Sequence, residues 1–552
     1  MRRQTLRLAS ILGLSIVLGL IGCSGGQEPA PAASSDAADG QWSLDWADGS
    51  VSYEIFVRSF ADSDGDGIGD LQGLISRLDY LNDGNSATDS DLGIECLWLM
   101  PVFASPSYHG YDTTDYYSVN PDYGTNQDLD ELLAAAHARG VRVILDLMIN
   151  HTGSDHPWFV ESASSKTNPK RDWYVWRDDD PGWTQPWSDD GWPTWHESET
   201  GYYYGIFWGG MPDLNLANPE VRAEILKIAD FWLDRGVDGF RLDAARHLFA
   251  NGDGQLQNDQ PETHAFWRDL ATHVRETHPG ALLVGENWTD SEHIAPYYGA
   301  TAEVTRGDEL PMNFDFPVAQ AILDAVRSRS GAPVIEAVEA QAQLYPPGVL
   351  AGTFLTNHDM PRIATVLDRD PVRLRSAAAI LLTLPGSPFI YYGEEIGMVG
   401  DKPDEDIRTP MQWSSASGAD FTTGQPWHDL NPDYQSVNVA TQDTDPESLL
   451  SFYRRLIHLR NAFPAVHDGD IDILAPVAGQ DAVLAYALHA AGSDVLVVHN
   501  LGSTMTMAGP WPLELGVGEL LLGGDAGVST ASGDEGVALI LPAGASAVVR
   551  LE

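Results

Sequence analysis

The chain has 552 residues, of which 43% are hydrophobic, with 17 Trp, 19 Tyr and 16 Phe; this is enough for several packed cores and excludes global disorder. Against 31 basic residues stand 80 acidic ones, a net charge of −49 that excludes nucleic acid as a partner and disfavours anionic membrane surfaces. Only two cysteines are present, so disulfides do not hold the fold together.

The chain opens with Arg2, Arg3 and Arg7, followed by the apolar run "LASILGLSIVLGLIG". This is the pattern of an export leader, too short for a permanent span. It ends in "LIGC", which resembles a bacterial lipoprotein box with Cys23 as the lipidated residue. Residues 1–22 are therefore predicted to be a lipoprotein signal peptide, and 23–45 a flexible Pro/Ala/Ser-rich tether. The protein is expected to be exported and held at the bacterial envelope, meeting the membrane only through that lipid. Cys96, in "GIECLWLMP", is expected to be a buried thiol.

From residue 50 onward, strand-like and helical patterns alternate. "VSYEIFVRSF", "GIECLWLMPVF", "VRVILDLMIN", "VDGFRLDA", "GALLVGEN", "GTFLTNHD" and "SPFIYYGEE" are predicted strands, with another near "PMNFDFP". Between them "LQGLISRLDYL", "NQDLDELLAAAHARG", "RAEILKIADFWLDRG", "HAFWRDLATHVRETH" and "PVRLRSAAAILLTLPG" read as helices. About eight strands in such alternation predict a (β/α)8 barrel over 46–151 and 213–464. Residues 152–212, rich in Trp, Asp, Pro and Gly without a helical period, are predicted to be an insertion after the third strand. From 465 to 552 helices are expected to stop, giving a C-terminal all-β sandwich.

In a barrel, chemistry sits at the C-terminal ends of the strands. Alternation puts Arg241 and Asp243 on one face of "VDGFRLD", and Asn357 and Asp359 on one face of "FLTNHD" with His358 opposite. Glu286 closes "LLVGEN", and Asp146, Asn150 and His151 close the third strand. Several acids converging on one mouth are costly unless their protonation is used. Glycosidic cleavage needs two carboxyls with different duties, one attacking and one protonated. Arg241 would keep Asp243 ionised, and Glu286, expected in a less positive setting, would keep its proton.

"DLMINH" (146–151), "GFRLDAARH" (239–247), "GEN" (285–287) and "FLTNHD" (354–359) resemble, in order and spacing, the four signature segments of the α-amylase family of glycoside hydrolases. "MPDLN" (211–215) resembles a fifth, and the likeness runs from about 50 to the C-terminus. The resemblance implies Asp243 as nucleophile, Glu286 as general acid/base and Asp359 as the third catalytic acid. It implies Arg241, His151 and His358 as sugar-binding neighbours, Tyr111 as an aromatic platform, His247 as a more peripheral contact, and Arg362 as a further substrate-binding residue. Asp146 is expected to orient Arg241. The implied substrates are α-glucans such as starch, glycogen and maltooligosaccharides.

The loop "DSDGDGIGD" (62–70) offers Asp62, Asp64, Asp66, Asp70 and the Ile68 carbonyl, hard oxygen donors suited to Ca²⁺. It lacks the glutamate that closes an EF-hand, but some members of the resembled family carry this loop as a structural calcium site. Sub-family signs diverge. The loop and "RTPMQW" (408–413) resemble oligo-1,6-glucosidases and trehalose-forming relatives, whereas "MPDLN" resembles the group between those and neopullulanases. Ala244 stands where 1,6-specific members carry valine. An endo-acting α-1,4 hydrolase is expected. An α-1,6- or exo-glucosidase or a transglycosylase is the alternative, and a surface glucan-binding protein is a more distant one.

Overall fold

A computed structural model describes residues 40–512, 516–524, 529–533 and 536–552; the leader, Cys23 and the tether up to residue 39 lie outside the described residues. Eight parallel strands close into one barrel: β1 (Ser52–Ile55), β2 (Cys96–Leu99), β3 (Arg142–Leu147), β4 (Gly239–Leu242), β5 (Leu282–Gly285), β6 (Met312–Phe314), β7 (Leu350–Phe354) and β8 (Ser387–Tyr391). Each pairs with the next in chain order, and β8 returns to β1. Almost every strand residue is buried, as expected when helices cover the outside and side chains fill the inside. Cys96 is a buried free thiol within β2.

The crossover helices begin where the sequence marks them. Thr125 caps Asn126–His137 in a reciprocal box with Asp128. Pro219, Pro261 and Pro371 each open a helix in the first turn, where a missing N–H costs nothing. Two predicted elements are divided. "VSYEIFVRSF" becomes β1 and the single turn Val57–Phe60, and "LQGLISRLDYL" breaks at Arg77 into Leu71–Ser76 and Leu78–Leu81. All four residues of the turn Val57–Phe60 are buried, so apolar periodicity carries no boundary there.

The segment after β3 holds a three-stranded sheet of Trp176–Arg177, Gly201–Tyr204 and Trp195–Ser198. It also holds a helix, Pro157–Ser164, which corrects the expectation of none; eight residues with a His156 cap are too few to show a period. Trp195, Tyr204 and Ile206, with Trp183 and Phe207 against them, give this segment a small core of its own.

One short helix, Pro464–Asp468, continues past the expected stop before the strands begin at Asp470. Among the described residues the C-terminal part contains a five-stranded and a three-stranded antiparallel sheet. Alternation in Val495–Asn500 divides its faces: Leu496 and Val498 join the sandwich core, while Val495 and Val497 join the barrel core. The (β/α)8 barrel with a C-terminal β-sandwich is therefore the fold.

Arg460, on helix Leu449–Ala462, fastens the chain beneath the barrel. It is fully buried and donates to the carbonyls of Gly49, Leu382, Leu384, Gly386 and His467. Among the described residues no other side chain bonds five backbone carbonyls at once, so Arg460→Leu should leave them dry and unpaired. The expected loss is roughly 3–5 kcal/mol of unfolding free energy, read from urea titration; a loss within experimental noise contradicts this role.

Candidate active site

The register of the barrel brings the charged residues together. Asp146 of β3 lies opposite Arg241 of β4, and Arg241 lies opposite Val284 of β5, two residues before Glu286. Residues in register on one face of parallel strands are lateral neighbours, so all three side chains reach the same interior layer. Arg241 is 1% exposed, and its Nη1 donates to Asp146 Oδ1 at 2.8 Å and Asp243 Oδ1 at 2.7 Å. Its Nη2 lies 2.6 Å from Glu286 Oε1. The rings of Trp98 and Tyr111 flank the same guanidinium at 5.3 and 5.7 Å.

Glu286 is expected in a less positive setting than Asp243, and this is corrected: one cation touches both. Its other oxygen accepts the backbone N–H of Ala244 at 3.1 Å. Ala244 holds a left-handed φ of 52°, and this turn directs the N–H toward the second carboxyl. Burial pushes Glu286 up to about 7 against the pull of Arg241, and Asp243 and Asp359 push the same way. Burial also lifts Asp146 to about 6. Asp359 moves oppositely: burial resists its ionisation, but His358 and Arg408 hold the carboxyl well below the usual range.

Strand β7 ends at Phe354, five residues before Asp359, so alternation no longer governs the "NHD" turn. His358 and Asp359 face the same space instead of opposite sides, with Nε2 3.0 Å from Asp359 Oδ2. Arg408 Nη2 donates to the other oxygen of Asp359 at 2.9 Å. The Asp359 side chain is still 30% exposed, so its free edge meets the opening. Tyr111 donates to Asp146 Oδ2 at 3.0 Å and lies 2.6 Å from His358 Nε2. His151, buried, meets the Tyr111 carbonyl at 3.2 Å and packs edge-on to Phe207 of the inserted segment. His247 stands further out, its Nδ1 2.9 Å from Asn258 Oδ1 and its ring against Trp187. Asn150 pairs with the buried Asp213 of "MPDLN", whose carboxyl burial lifts to about 8.

Arg362 is a correction. It is 1% exposed and donates to the carbonyls of Ile407 and Tyr392 at 2.6 Å each, between the rings of Tyr391 and Tyr392. Its Nε and Nη1 are committed to backbone carbonyls, whereas Arg241 and Arg408 pair with site carboxylates. Arg408, Glu54 and Trp98 are residues of the site that the sequence reading missed. Arg408 stood within "RTPMQW", a readable signal, whereas Glu54 and Trp98 sat inside predicted strands without distinguishing marks.

In the acidic loop, Asp62, Asp64 and Asp70 bring oxygens within 4.8 Å of one another, the one such cluster among the described residues. Asp66, expected among the ligands, is outside that group; its Oδ1 accepts from Ile68 N at 2.7 Å. The loop is clamped to residues 421–427: Asp62 N donates to Phe421 O at 2.9 Å, Trp427 N to Gly67 O at 2.9 Å, and Thr422 bonds the Asp62 carboxylate. A Cβ on Gly67 would lie 1.8 Å from the Gln425 carbonyl, which explains the glycine.

A closed (β/α)8 barrel with three acids and an arginine at its C-terminal mouth defines a barrel glycosidase. Residues 54–469 match the model of the α-amylase catalytic domain family. Alpha-amylase 3 of Dictyoglomus thermophilum is 41% identical over 83% of this chain and 85% of its own length. A trehalose synthase/amylase of Mycobacterium tuberculosis is 37% identical over 85% of this chain and 83% of its own. The crystal structure of an α-amylase from H. orenii superposes with a TM-score of 0.81 at 40% identity, covering 91% of this chain and 99% of that one. The chain belongs to the α-amylase family of glycoside hydrolases.

Arg241→Met should expose the cost of these buried acids. Glu286 and Asp146 have raised folded values, so each yields stability below its unfolded value and loses it as pH rises through about 6–7. Without the arginine their ionisation becomes harder still. The urea-unfolding deficit of the variant against wild type is expected to be larger at pH 8 than at pH 5, by about 1–2 kcal/mol; equal deficits at both pH values contradict the assignment.

Proposed function

We propose that this hydrolase is an endo-acting α-1,4-glucan hydrolase working with retention on starch, glycogen or maltooligosaccharides. The observation that carries the reading is the single guanidinium that holds both Asp243 and Glu286. Two carboxyls bound to neighbouring nitrogens of one planar fork favour the short separation of retaining pairs, roughly 5–5.5 Å, over the roughly 6.5–9.5 Å of inverting pairs. Asp243 attacks the anomeric carbon as the bond to the leaving oxygen breaks, and Glu286, protonated near neutrality, delivers its proton to that oxygen. The glycosyl–Asp243 ester then accepts water whose proton Glu286 takes up, and Asp243 leaves ionised beside Arg241. Asp359 accepts hydrogen bonds from sugar hydroxyls on its open edge. Tyr111 lies beneath the ring. Hydrolysis of maltoheptaose should release products in the α configuration, as read by proton NMR in the first minutes; β products contradict double displacement.

Ala244 supports the α-1,4 preference. Valine is strained at its left-handed φ, and its branches would crowd the turn between the two carboxyls. Ala244→Val should lower stability by about 1–3 kcal/mol and lower the ratio of maltoheptaose to panose turnover. A ratio unchanged or raised speaks for the alternative, a 1,6-glucosidase or transglycosylase.

Asp62, Asp64 and Asp70 form a hard-oxygen cluster that fits Ca²⁺, in which the ion would neutralise three carboxylates and tighten the clamp on 421–427. Its role would be structural. Chelation with EGTA should lower the melting temperature by several degrees, reversed by Ca²⁺ and absent in Asp64→Ala. A melting temperature indifferent to chelator removes calcium from the description.

The leader residues 1–22 and Cys23 support export with a lipid anchor at the bacterial envelope, so the substrate would be met outside the cell.

A further inference from the structure

Glu54 is a further barrel acid that, like Asp146, takes no part in the cleavage steps. It is buried near the end of β1, in register with Trp98 of β2, and its Oε1 lies 2.5 Å from Nδ1 of His358. The other ring nitrogen, Nε2, faces Asp359 Oδ2 at 3.0 Å and the Tyr111 oxygen at 2.6 Å. The Tyr111 hydroxyl can give its one proton to Asp146 Oδ2 at 3.0 Å, and the two carboxylates on the ring, Glu54 at Nδ1 and Asp359 at Nε2, only accept. A neutral imidazole has one N–H and one lone pair, and here the lone pair would face an acceptor on whichever side it lay. Only the imidazolium donates at both nitrogens.

We propose that Glu54 is a positioning residue that fixes His358 as an imidazolium and, through Nε2, holds Asp359 in the orientation its contact with substrate requires. This rests on the role of Asp359 given above. The titratable and charged groups facing His358 are Glu54 from β1, Tyr111 after β2, Asp146 of β3 with Arg241 behind it, Asp359 beside it, and Arg408 on its carbonyl oxygen at 3.0 Å. Tyr391 of β8 and Glu394 beyond it stand behind Glu54. Burial alone would drive the ring neutral, but Asp359 and Glu54 together raise it to about 10. Removing the Glu54 charge leaves Asp359 to oppose burial alone, so the ring becomes able to titrate within the working range.

The test uses the full chain with nitrogen-labelled histidine, comparing wild type with Glu54→Gln and, for assignment, His358→Gln. Gln keeps the shape and an acceptor at Oε1 and removes only the charge. In wild type, one ring absent from His358→Gln should stay doubly protonated beyond pH 9; in Glu54→Gln it should titrate below pH 8. The kcat of Glu54→Gln on maltoheptaose should fall about ten- to hundred-fold at pH 8 and much less at pH 5, with KM changing less than kcat. A ring that is neutral in wild type at pH 7 overturns the proposal, as does a Glu54→Gln pH profile superimposable on wild type. Should Glu54→Gln not fold, the wild-type and His358→Gln spectra still decide the protonation state. A wild type inactive on every α-glucan yet holding the imidazolium would sink the hydrolase reading and leave the Glu54–His358 pairing standing.

Discussion

The site is organised by one buried cation. Arg241 is almost inaccessible and touches Asp146, Asp243 and Glu286 at once. Each buried ion costs several kcal/mol of lost hydration, repaid only when its partners are close and well aligned. One guanidinium among three carboxylates leaves a surplus of negative charge, so full ionisation of the three is the unfavourable state. The arrangement tolerates itself by keeping a proton, and burial places it on Glu286 in preference to the usual carboxylate behaviour. The unequal protonation that two-step glycoside cleavage needs follows from charge counting in a dry place.

A second cationic group serves the third acid. His358 and Arg408 bind Asp359 from two sides and hold it ionised, although it shares the cavity with an acid pushed up to about 7. The two halves of the site are joined by Tyr111, which bonds Asp146 on the Arg241 side and meets His358 on the other. Sequence distance is irrelevant to this unit: its members come from β1, β3, β4, the turns beyond β2, β5 and β7, and the loop after β8. The barrel matters because it fixes register, and register sets which side chains are neighbours.

Much of this was legible in the sequence. Strand–helix alternation carried the barrel, because period-2 and period-3.6 patterns alternate plainly from residue 50 onward. Alternation puts Arg241 and Asp243 on one face, and the two side chains do meet, because Asp243 directly follows the last residue of β4. Alternation sets His358 and Asp359 on opposite faces only if the strand continues past Phe354, where it stops. The family resemblance implies Arg362 as a substrate-binding residue, but its carbonyl partners come from residues 392 and 407, which no local pattern reveals. Glu54 was invisible for a similar reason: its partner lies 304 residues away. Helix Pro157–Ser164 escaped because eight residues give barely two turns of period.

The central physical claim is that Glu286 titrates near neutral pH despite direct contact with Arg241. It is tested most directly by titrating that carboxyl, using carbon-labelled glutamate and NMR with Glu286→Gln as the assignment control. A midpoint near pH 7, falling toward ordinary glutamate values when Asp243 is replaced by asparagine, is the expected result. A carboxyl already ionised at pH 5 in the wild-type protein would contradict it.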